Sequence, residues 1–371
     1  MWFHQTIKIN YILMKTKNLA IISAWILSLN LSSCLKDEDV KLAYNGFQPL
    51  VIADDWQVST PAEEKMNEDF LNAAYQLVFN NERFIMARSL LVIRNGKIVA
   101  EAYPDDPDDA FRTENIQSCT KSFTSILTGI AFEKHLLDSL NQTFESIYPD
   151  YFLNHQDKKN ITIENALTMK TGINFIDGDH TRPLYETDQS SVDFILSLPK
   201  NYEPGIVYQY NDGTPHLISA AIQERYGKPL SVFADDFLFK PLGITEWKWE
   251  AAKDGITFGA VSIFMKPRDI AKFGQLLLQN GRWGNQQIVD SSWIAEATKP
   301  RVTMHSPGAS YGYYFWIFPA YGGYAAVGHG GQFIFVVPSE RLVVIYTAWP
   351  YTSGDMFDNF NELADLILKS C

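Results

Sequence analysis

Two β-hairpin patterns at opposite ends of the chain restrict the fold more than any other feature. In SLLVIRNGKIVAEAY, residues 89–103, two apolar runs flank Asn95-Gly96, a dipeptide that favours a two-residue hairpin turn. Near the other end, QFIFVV and LVVIYTAW flank a turn at residues 338–341. The region between the hairpins lacks the strand–helix alternation of a parallel sheet. We therefore expect an α+β fold in which both chain ends form one antiparallel sheet.

Helical periodicity accounts for most of the remaining chain. Apolar spacing predicts helices over residues 61–81, 118–131, 161–173, 216–244 (two helices, broken near Gly227), 267–281 and 361–369. Several of them fall within residues 155–265, which we interpret as a mainly helical region inserted between the sheet-forming ends. The helix that begins near Ser118 reads as amphipathic, with an apolar stripe on one face.

Composition excludes several classes of function. The chain has 371 residues, a formal net charge of −12 and no run rich in Lys and Arg, so no nucleic-acid partner is expected. It contains neither a CxxC pair nor HExxH, and no metal or organic cofactor is expected. The acidic run at residues 104–109 lacks the calcium-loop pattern and reads as a solvated turn.

The N-terminal segment has the features of a bacterial lipoprotein signal. Two lysines, Lys15 and Lys17, precede the apolar run at residues 19–29, which is too short to span a bilayer comfortably. The run ends in LSSC, which resembles a lipobox with Cys34 as the lipid-bearing residue. A signal peptide followed by an incidental cysteine is the alternative.

This segment sets the expected domain boundaries and location. Residues 1–33 are predicted to be a signal peptide, residues 34–55 a tether and residues 56–371 the folded domain. Met14 is a second plausible start, since MKTKNLAIIS already has the form of a signal peptide. Lipid on Cys34 would hold the domain at a membrane of the cell envelope, and the outer membrane is expected, with either face possible.

Ser118 and Lys121 form the first candidate for catalytic chemistry. Residues three apart share a helix face, so the amine can reach the hydroxyl. If Lys121 is desolvated, we expect its pKa to fall, so that the neutral amine can act as the base. Ser-x-x-Lys is a common spacing and also occurs at Ser33 and Ser197. The alternative is that Ser118 caps the helix and Lys121 is solvated.

Two further motifs follow in chain order. Tyr210-Asn-Asp212 lies in PGIVYQYND, and His329-Gly-Gly331 lies in VGHGGQFIFVV. With Ser118-Cys-Thr-Lys121, they resemble the three motifs of the penicillin-recognising serine hydrolases. This family includes class C β-lactamases, D-Ala-D-Ala peptidases, esterases and 6-aminohexanoate-dimer hydrolases. The resemblance extends from about Trp56 to the C-terminus and implies a β-lactamase/transpeptidase-like fold, with the His motif on an edge strand.

The resemblance also implies roles for individual residues. Ser118 would be the nucleophile, Lys121 its base and Tyr210 a second proton shuttle, with Tyr208 as a competitor for that place. The backbone N–H groups of Ser118 and Gln332 would form the oxyanion hole. His329 would act at the catalytic site, and substrate would approach the backbone at Gly330 and Gly331.

Two positions depart from the familiar β-lactamase pattern. His329 stands where most members have Lys, and Asp212 stands where most have Asn, so Asp212 either repels a carboxylate substrate or pairs with Lys121. Both changes favour an esterase or amidase acting on a small neutral or cationic ester, amide or peptide. A D-Ala-D-Ala carboxypeptidase, a β-lactamase and a non-catalytic surface binding module stay as alternatives. Specificity is expected in loops at residues 174–198 and 251–258. Within the first loop, HTRPLYETD at residues 180–188 is expected to overhang the pocket, and the alternative is that its polar residues are solvated.

Overall fold

The sheet at the centre of the fold joins the two hairpins that the sequence predicts. The computed structural model describes residues 41–304, 308–349 and 356–371, and Leu42–Cys371 forms one unit. Numbered along the chain, the strands are β1 (Ala87–Arg94), β2 (Lys97–Ala102), β3 (Glu114–Asn115), β4 (Trp247–Trp249), β5 (Ile263–Met265), β6 (Arg282–Trp283), β7 (Gln286–Gln287), β8 (Val302–Thr303), β9 (Ser310–Tyr311), β10 (Trp316–Phe318), β11 (Gly323–Gly328), β12 (Gln332–Val337) and β13 (Leu342–Ala348). The main sheet has the order β2-β1-β13-β12-β11-β10-β9-β8, and each neighbouring pair is antiparallel. The predicted α+β fold, with one antiparallel sheet from both chain ends, is confirmed.

Within the described residues, helices pack on both faces of this sheet, and others belong to the middle region of the chain, between the two sheet-forming ends. They are α1 (Glu68–Asn80), α2 (Cys119–Glu133), α3 (Phe144–Ile147), α4 (Ile163–Leu167), α5 (Asp177–Glu186), α6 (Ser191–Ser197), α7 (Gly213–Tyr226), α8 (Leu230–Ala234), α9 (Pro267–Leu278), α10 (Ser291–Ala297) and α11 (Met356–Ser370). Helix α7 ends at Tyr226, and Gly227 after it takes the left-handed conformation with φ 76°, which agrees with the predicted break near Gly227. A small sheet that the sequence did not predict, β3-β5-β4, pairs β3, which precedes α2 in the chain, with two strands of the middle region.

Two predicted helices are shorter than expected. The first begins at Glu68 instead of residue 61, because the Asn67 side chain accepts hydrogen bonds from the backbone N–H groups of Asp69 and Phe70 and caps the helix there. Helix α4 covers only Ile163–Leu167 of the predicted residues 161–173, and it ends early because Met169 takes a positive φ of 57° that a helix cannot accommodate.

The first hairpin has the turn that its sequence favours. Asn95 and Gly96 both have positive φ, 54° and 80°, which is the conformation of a two-residue turn matched to the strand twist. β1 then pairs with β13 as well as β2, so the hairpin is extended by the last strand of the chain.

Both faces of the sheet are buried. In β13, Val343 and Ile345 pack toward α9, where Gly274 allows the helix to approach the Val343 side chain. Residues at the alternate positions, including Val344, contribute to a second core with α1 and α11, in which Phe333 stacks on Phe360 at 3.9 Å. A strand buried on two faces is expected to be almost entirely apolar, which explains the sequence of β13 up to Tyr346. The buried Thr347 that follows is paired with Ser89, whose hydroxyl oxygen lies 2.7 Å from that of Thr347.

The N-terminal part of the folded unit extends beyond the predicted boundary. Residues 42–55 were expected to belong to a tether, but Phe47 is buried and its carbonyl accepts a hydrogen bond from the Glu101 N–H at 2.8 Å. Arg268 contacts the same segment, donating to the Leu50 carbonyl at 2.6 Å. The predicted signal peptide at residues 1–33, Cys34 and the first part of the tether lie outside the described residues. Within the described ranges, no helix is both long and apolar enough to cross a membrane.

Candidate active site

Ser118 immediately precedes the first residue of α2 and does not cap it. Its side chain makes no capping hydrogen bond, and Gln117 before it has a positive φ of 49°, an uncommon backbone conformation for a residue with a side chain. The Ser118 Oγ instead accepts a hydrogen bond from Lys121 Nζ at 2.8 Å. The alternative in which Ser118 caps the helix and Lys121 is solvated is therefore wrong.

Helix α2 is buried almost all round, and this corrects the amphipathic reading of its sequence. Every residue from Cys119 to Ala131 is buried, because the helix lies inside the protein between the sheet and the middle region. Its polar residues are paired accordingly: Ser122 donates to the Tyr314 carbonyl at 2.6 Å, and Thr124 donates to the Gly259 carbonyl at 2.7 Å. The helix therefore holds Lys121, and Ser118 immediately before it, in an enclosed part of the protein.

Lys121 is buried and its ammonium has three acceptors. Nζ donates to Ser118 Oγ at 2.8 Å, to Asp212 Oδ1 at 2.6 Å and to the Ala260 carbonyl at 3.3 Å. Burial alone would lower the pKa of Lys121, but the neighbouring Asp212 carboxylate outweighs it and holds the pKa above its usual value. The expectation that desolvation lowers this pKa is therefore wrong, and Lys121 is charged at rest.

Asp212 pairs with Lys121, which decides between the two alternatives that the sequence left open. Its second oxygen, Oδ2, accepts a hydrogen bond from Thr181 Oγ1 at 2.8 Å, and its backbone N–H donates to Asp177 Oδ1 at 2.8 Å. Both partners lie on α5, so the predicted overhanging loop is a helix that reaches the site. Asp177 and Thr181 are four residues apart, so a helix over this segment would place both side chains on one face. That spacing is the sequence signal that could have indicated their shared role. Pro183 inside the segment argued against a helix there.

The carboxyl groups of Asp177 and Asp212 interact with one another. Burial, and next the negative charge of Asp212, raise the pKa of Asp177 to about 6, while Lys121 opposes the shift. Tyr185, also on α5, is close enough that burial and these two carboxylates raise the pKa of its phenol. The site thus holds one ammonium among two carboxyl groups.

Tyr210 lies against Lys121, as the predicted shuttle role requires. The Lys121 ammonium is 4.8 Å from the centre of the Tyr210 ring, which packs between Tyr311 and Trp316. Burial raises the pKa of Tyr210, although Lys121 and Ser118 counteract part of that effect, so the phenol is neutral at pH 7. The hydroxyl of Tyr208, the competing tyrosine, is buried without a hydrogen-bond partner in the part of the chain that the structure describes.

The His329 motif lies in the connection between β11 and β12. β12 pairs with β11 on one side and β13 on the other, so the expected edge strand is wrong for this sheet. His329 is exposed, while Gly330 and Gly331 are buried with positive φ of 78° and 99°. The Cys119 thiol donates to the Gln332 carbonyl at 3.5 Å, which brings the connection to the start of α2. The oxyanion role of the Ser118 and Gln332 N–H groups stays a prediction.

The two segments expected to set specificity are tied together by a buried serine. Ser191 Oγ donates to Asp254 Oδ2 at 2.7 Å and lies 2.8 Å from His216 Nε2. In a catalytic triad the imidazole lies between the serine and the carboxylate. Here the carboxylate binds the serine and not the imidazole, so the three residues do not form such a triad. Burial lowers the pKa of His216 to about 4, so the ring is neutral and fixes α6, α7 and the 251–258 segment to one another.

The acidic run at residues 104–109 is balanced by arginines instead of being solvated throughout. Asp109 is buried and pairs with Arg88 at 3.0 Å and with Arg112 at 3.2 Å, and Arg112 also reaches Asp106. Among the described residues, no group of three or more His, Cys, Asp or Glu side chains has the arrangement of a metal site.

Comparison with known proteins gives a family that fits the arrangement of Ser118, Lys121 and Tyr210. The family model described as Beta-lactamase matches residues 82–365, well over half of the chain. A protein of Bacillus subtilis (strain 168) named as penicillin-binding protein PbpX is 26% identical over 316 residues, covering 74% of this chain and 71% of its own.

Solved structures show the same fold. A Bacillus anthracis protein provisionally titled a 6-aminohexanoate-dimer hydrolase has a TM-score of 0.70 at 17% identity, covering 89% of this chain and 92% of its own. A family VIII carboxylesterase has a TM-score of 0.67 at 16% identity, covering 85% and 99%. The chain therefore belongs to the beta-lactamase family and is a serine hydrolase of that fold, in a family that includes esterases and amidases.

Proposed function

We propose that this protein cleaves a small ester or amide through a covalent acyl-enzyme on Ser118. The observation that carries the proposal is the 2.8 Å hydrogen bond between Lys121 Nζ and Ser118 Oγ at the start of a buried helix. A serine hydroxyl attacks an acyl carbon only when a neighbouring group takes its proton, and Lys121 is placed to do so. Tyr210, against the Lys121 ammonium, is placed to return a proton to the leaving group.

The charges around Ser118 favour neutral or cationic substrates. Asp212 and Asp177 place two carboxyl groups around one ammonium, and Lys121 already uses its three N–H groups on protein acceptors. A substrate carboxylate would meet net negative charge, whereas a neutral acyl group or an ammonium would not. D-Ala-D-Ala peptidases and β-lactamases act on substrates with a carboxylate, so those two activities are the less favoured alternatives.

The experiment compares covalent adducts on the wild type and on Ser118→Ala. Each purified full-length protein is incubated with a fluorophosphonate and, separately, with a penicillin, and intact masses are measured. We expect a phosphonyl adduct on the wild type and none on the variant, because the probe reacts with an activated serine. A persistent penicilloyl adduct would indicate a peptidase-like site. No adduct on folded wild type would favour a non-catalytic binding module.

We further propose that lipid on Cys34 attaches the protein to the outer membrane of the cell envelope. Support comes from the sequence, where the apolar run at residues 19–29 ends in LSSC. A Cys34→Ala variant should appear in the soluble fraction, while the wild type sediments with membranes and its mature N-terminal peptide carries a lipid mass. An unmodified Cys34 in a membrane-free wild type would contradict this anchor.

A further inference from the structure

Asn211, the middle residue of the Tyr210-Asn-Asp212 motif, is buried and uses both ends of its side-chain amide. Its Nδ2 donates a hydrogen bond to the Gln209 carbonyl at 2.7 Å, and its Oδ1 accepts one from the Thr214 N–H at 2.8 Å. Only 1% of the residue is exposed, so these protein groups, and not solvent, satisfy the amide.

The first of these bonds closes a ring around the backbone of Tyr210. Its acceptor is the carbonyl of the residue before Tyr210, and its donor is the side chain of the residue after it, so the bond restricts the backbone angles of Tyr210. The second bond ties this ring to the first turn of α7, since Thr214 is the second residue of that helix. Together they fix the direction in which the Tyr210 side chain leaves the backbone.

Gln209 fixes the other side of the ring. Its backbone N–H donates to the Met169 carbonyl at 2.8 Å, and its Nε2 donates to the Phe175 carbonyl at 2.9 Å. The backbone before Tyr210 is therefore held by residues 169–175, and the backbone after it is held by α7 through Asn211.

Asn211 also supplies the helix cap that Asp212 does not supply. Asp212 directly precedes α7, and Asp is among the residues preferred at that position, yet its side chain makes no capping bond. Its carboxylate binds Lys121 and Thr181 instead. Because Asn211 accepts the Thr214 N–H, α7 is capped while Asp212 stays with Lys121.

We propose that Asn211 is a positioning residue that holds the Tyr210 hydroxyl in place for protonation of the leaving group. The inference rests on the acyl-enzyme function and the Tyr210 role proposed above, and it adds the residue that fixes the proton donor. As the carbonyl re-forms, the bond from the acyl carbon to the leaving oxygen breaks, its electron pair stays on that oxygen, and the oxygen takes the Tyr210 proton. The proton that Ser118 released on attack then restores the phenol.

The test compares ethyl butyrate with p-nitrophenyl butyrate, which share an acyl group and differ in the leaving group. Ethoxide is a far stronger base than p-nitrophenolate, so its departure depends more on a proton donor. A misplaced Tyr210 should therefore cost more kcat/KM on the ethyl ester than on the p-nitrophenyl ester. A residue that only stabilises the fold would lower both values by one common factor. The readout is thus the ratio of kcat/KM for the ethyl ester to kcat/KM for the p-nitrophenyl ester.

In Asn211→Ser, the hydroxyl can still accept the Thr214 N–H, but the side chain is shorter than the amide that reaches the Gln209 carbonyl. We expect the ratio to fall at least roughly tenfold, which is part of the usual contribution of general acid–base catalysis. Asn211→Ala removes both hydrogen bonds and should lower the ratio at least as far. The matched control is Asn67→Ser, because Asn67 caps α1 in the second core and its change should leave the ratio unaltered.

A double variant shows whether Asn211 acts through Tyr210. Tyr210→Phe should lower the ratio by itself, and adding Asn211→Ser to it should lower the ratio no further. A further fall in the double variant would overturn the proposal, and so would an unchanged ratio in Tyr210→Phe or in whichever Asn211 variant folds.

Phosphonylation of wild-type Ser118 is measured first, because it separates this proposal from the function on which it rests. Absence of the adduct would refute the acyl-enzyme function itself. An adduct together with an unchanged ratio in the Asn211 variants would refute only the role of Asn211.

Discussion

Tyr208 and Tyr210 have identical side chains two positions apart and different surroundings. Tyr210 lies against the Lys121 ammonium and packs on Trp316, whereas the Tyr208 hydroxyl is buried without a partner in the described ranges. An unpaired buried hydroxyl contributes nothing favourable to stability, while a phenol beside the reacting groups can move a proton. At the residue scale, function therefore depends on which neighbour a tyrosine has.

Replacing each tyrosine by Phe separates these roles. Tyr210→Phe should lower kcat for a p-nitrophenyl ester by about 10²–10⁴-fold, the usual contribution of general acid–base catalysis. Tyr208→Phe should leave kcat within about threefold and leave the free energy of unfolding unchanged or raised by up to about 1 kcal/mol. Kinetics and urea denaturation measure the two effects. A large loss of kcat in Tyr208→Phe alone would reverse the assignment.

At the element scale, α2 depends on a glycine that lets another helix approach it. A Cβ at Gly129 would overlap the indole of Trp293 on α10, and the Trp293 Nε1 donates to the Ser125 carbonyl of α2 at 2.9 Å. Gly has a low helix propensity, so its presence in the middle of α2 is explained by this contact and not by the helix itself. The contact fixes the helix that carries Ser118 and Lys121.

Gly129→Ala should lower the free energy of unfolding by about 1–3 kcal/mol, since overpacking against Trp293 outweighs the gain in helix propensity. The matched control is Gly178→Ala on α5, where a Cβ meets no atom within 4 Å. There the propensity term acts alone and should raise stability by about 0.5–1 kcal/mol. Both values come from chemical denaturation, and equal effects of the two substitutions would contradict the packing argument.

At the scale of the whole molecule, one buried arginine joins three distant parts of the chain. Arg268, at the start of α9, bonds to Glu101 on β2 at 2.8 Å and to Asp54 at 2.8 Å, and it also accepts the Trp56 indole N–H at its carbonyl. These contacts hold residues 42–58 against the sheet. The N-terminal segment is therefore part of the domain's stability.

Arg268→Met should cost about 3–5 kcal/mol of folding free energy, because the buried Glu101 would lose its charge partner. Limited proteolysis should then cut within residues 42–58 faster than it does in the wild type. The control, Arg83→Met, removes an exposed pair with Glu362 and should cost at most about 1 kcal/mol. If the N-terminal segment stayed resistant in the Arg268 variant, the joining role would be refuted.

Local sequence determined those features whose physics is local. Asn95-Gly96 determined the first hairpin, Gly227 the end of α7, and the Pro267 to Asn280-Gly281 pattern the bounds of α9, because turn and capping preferences act within a few residues. The Ser118 and Lys121 spacing likewise determined that the two side chains could meet, since a helix places residues three apart on one face.

Tertiary structure alone decided the charge and surroundings of that pair. The protonation of Lys121 depends on Asp212, which is far away in sequence, and Asp212 in turn depends on Asp177 and Thr181 in a segment that reads as a loop. Burial of α2 on every side, and the packing of residues 42–55, also arise from distant contacts. Electrostatic and burial terms depend on spatial neighbours, and no local pattern records which neighbours the fold will bring together.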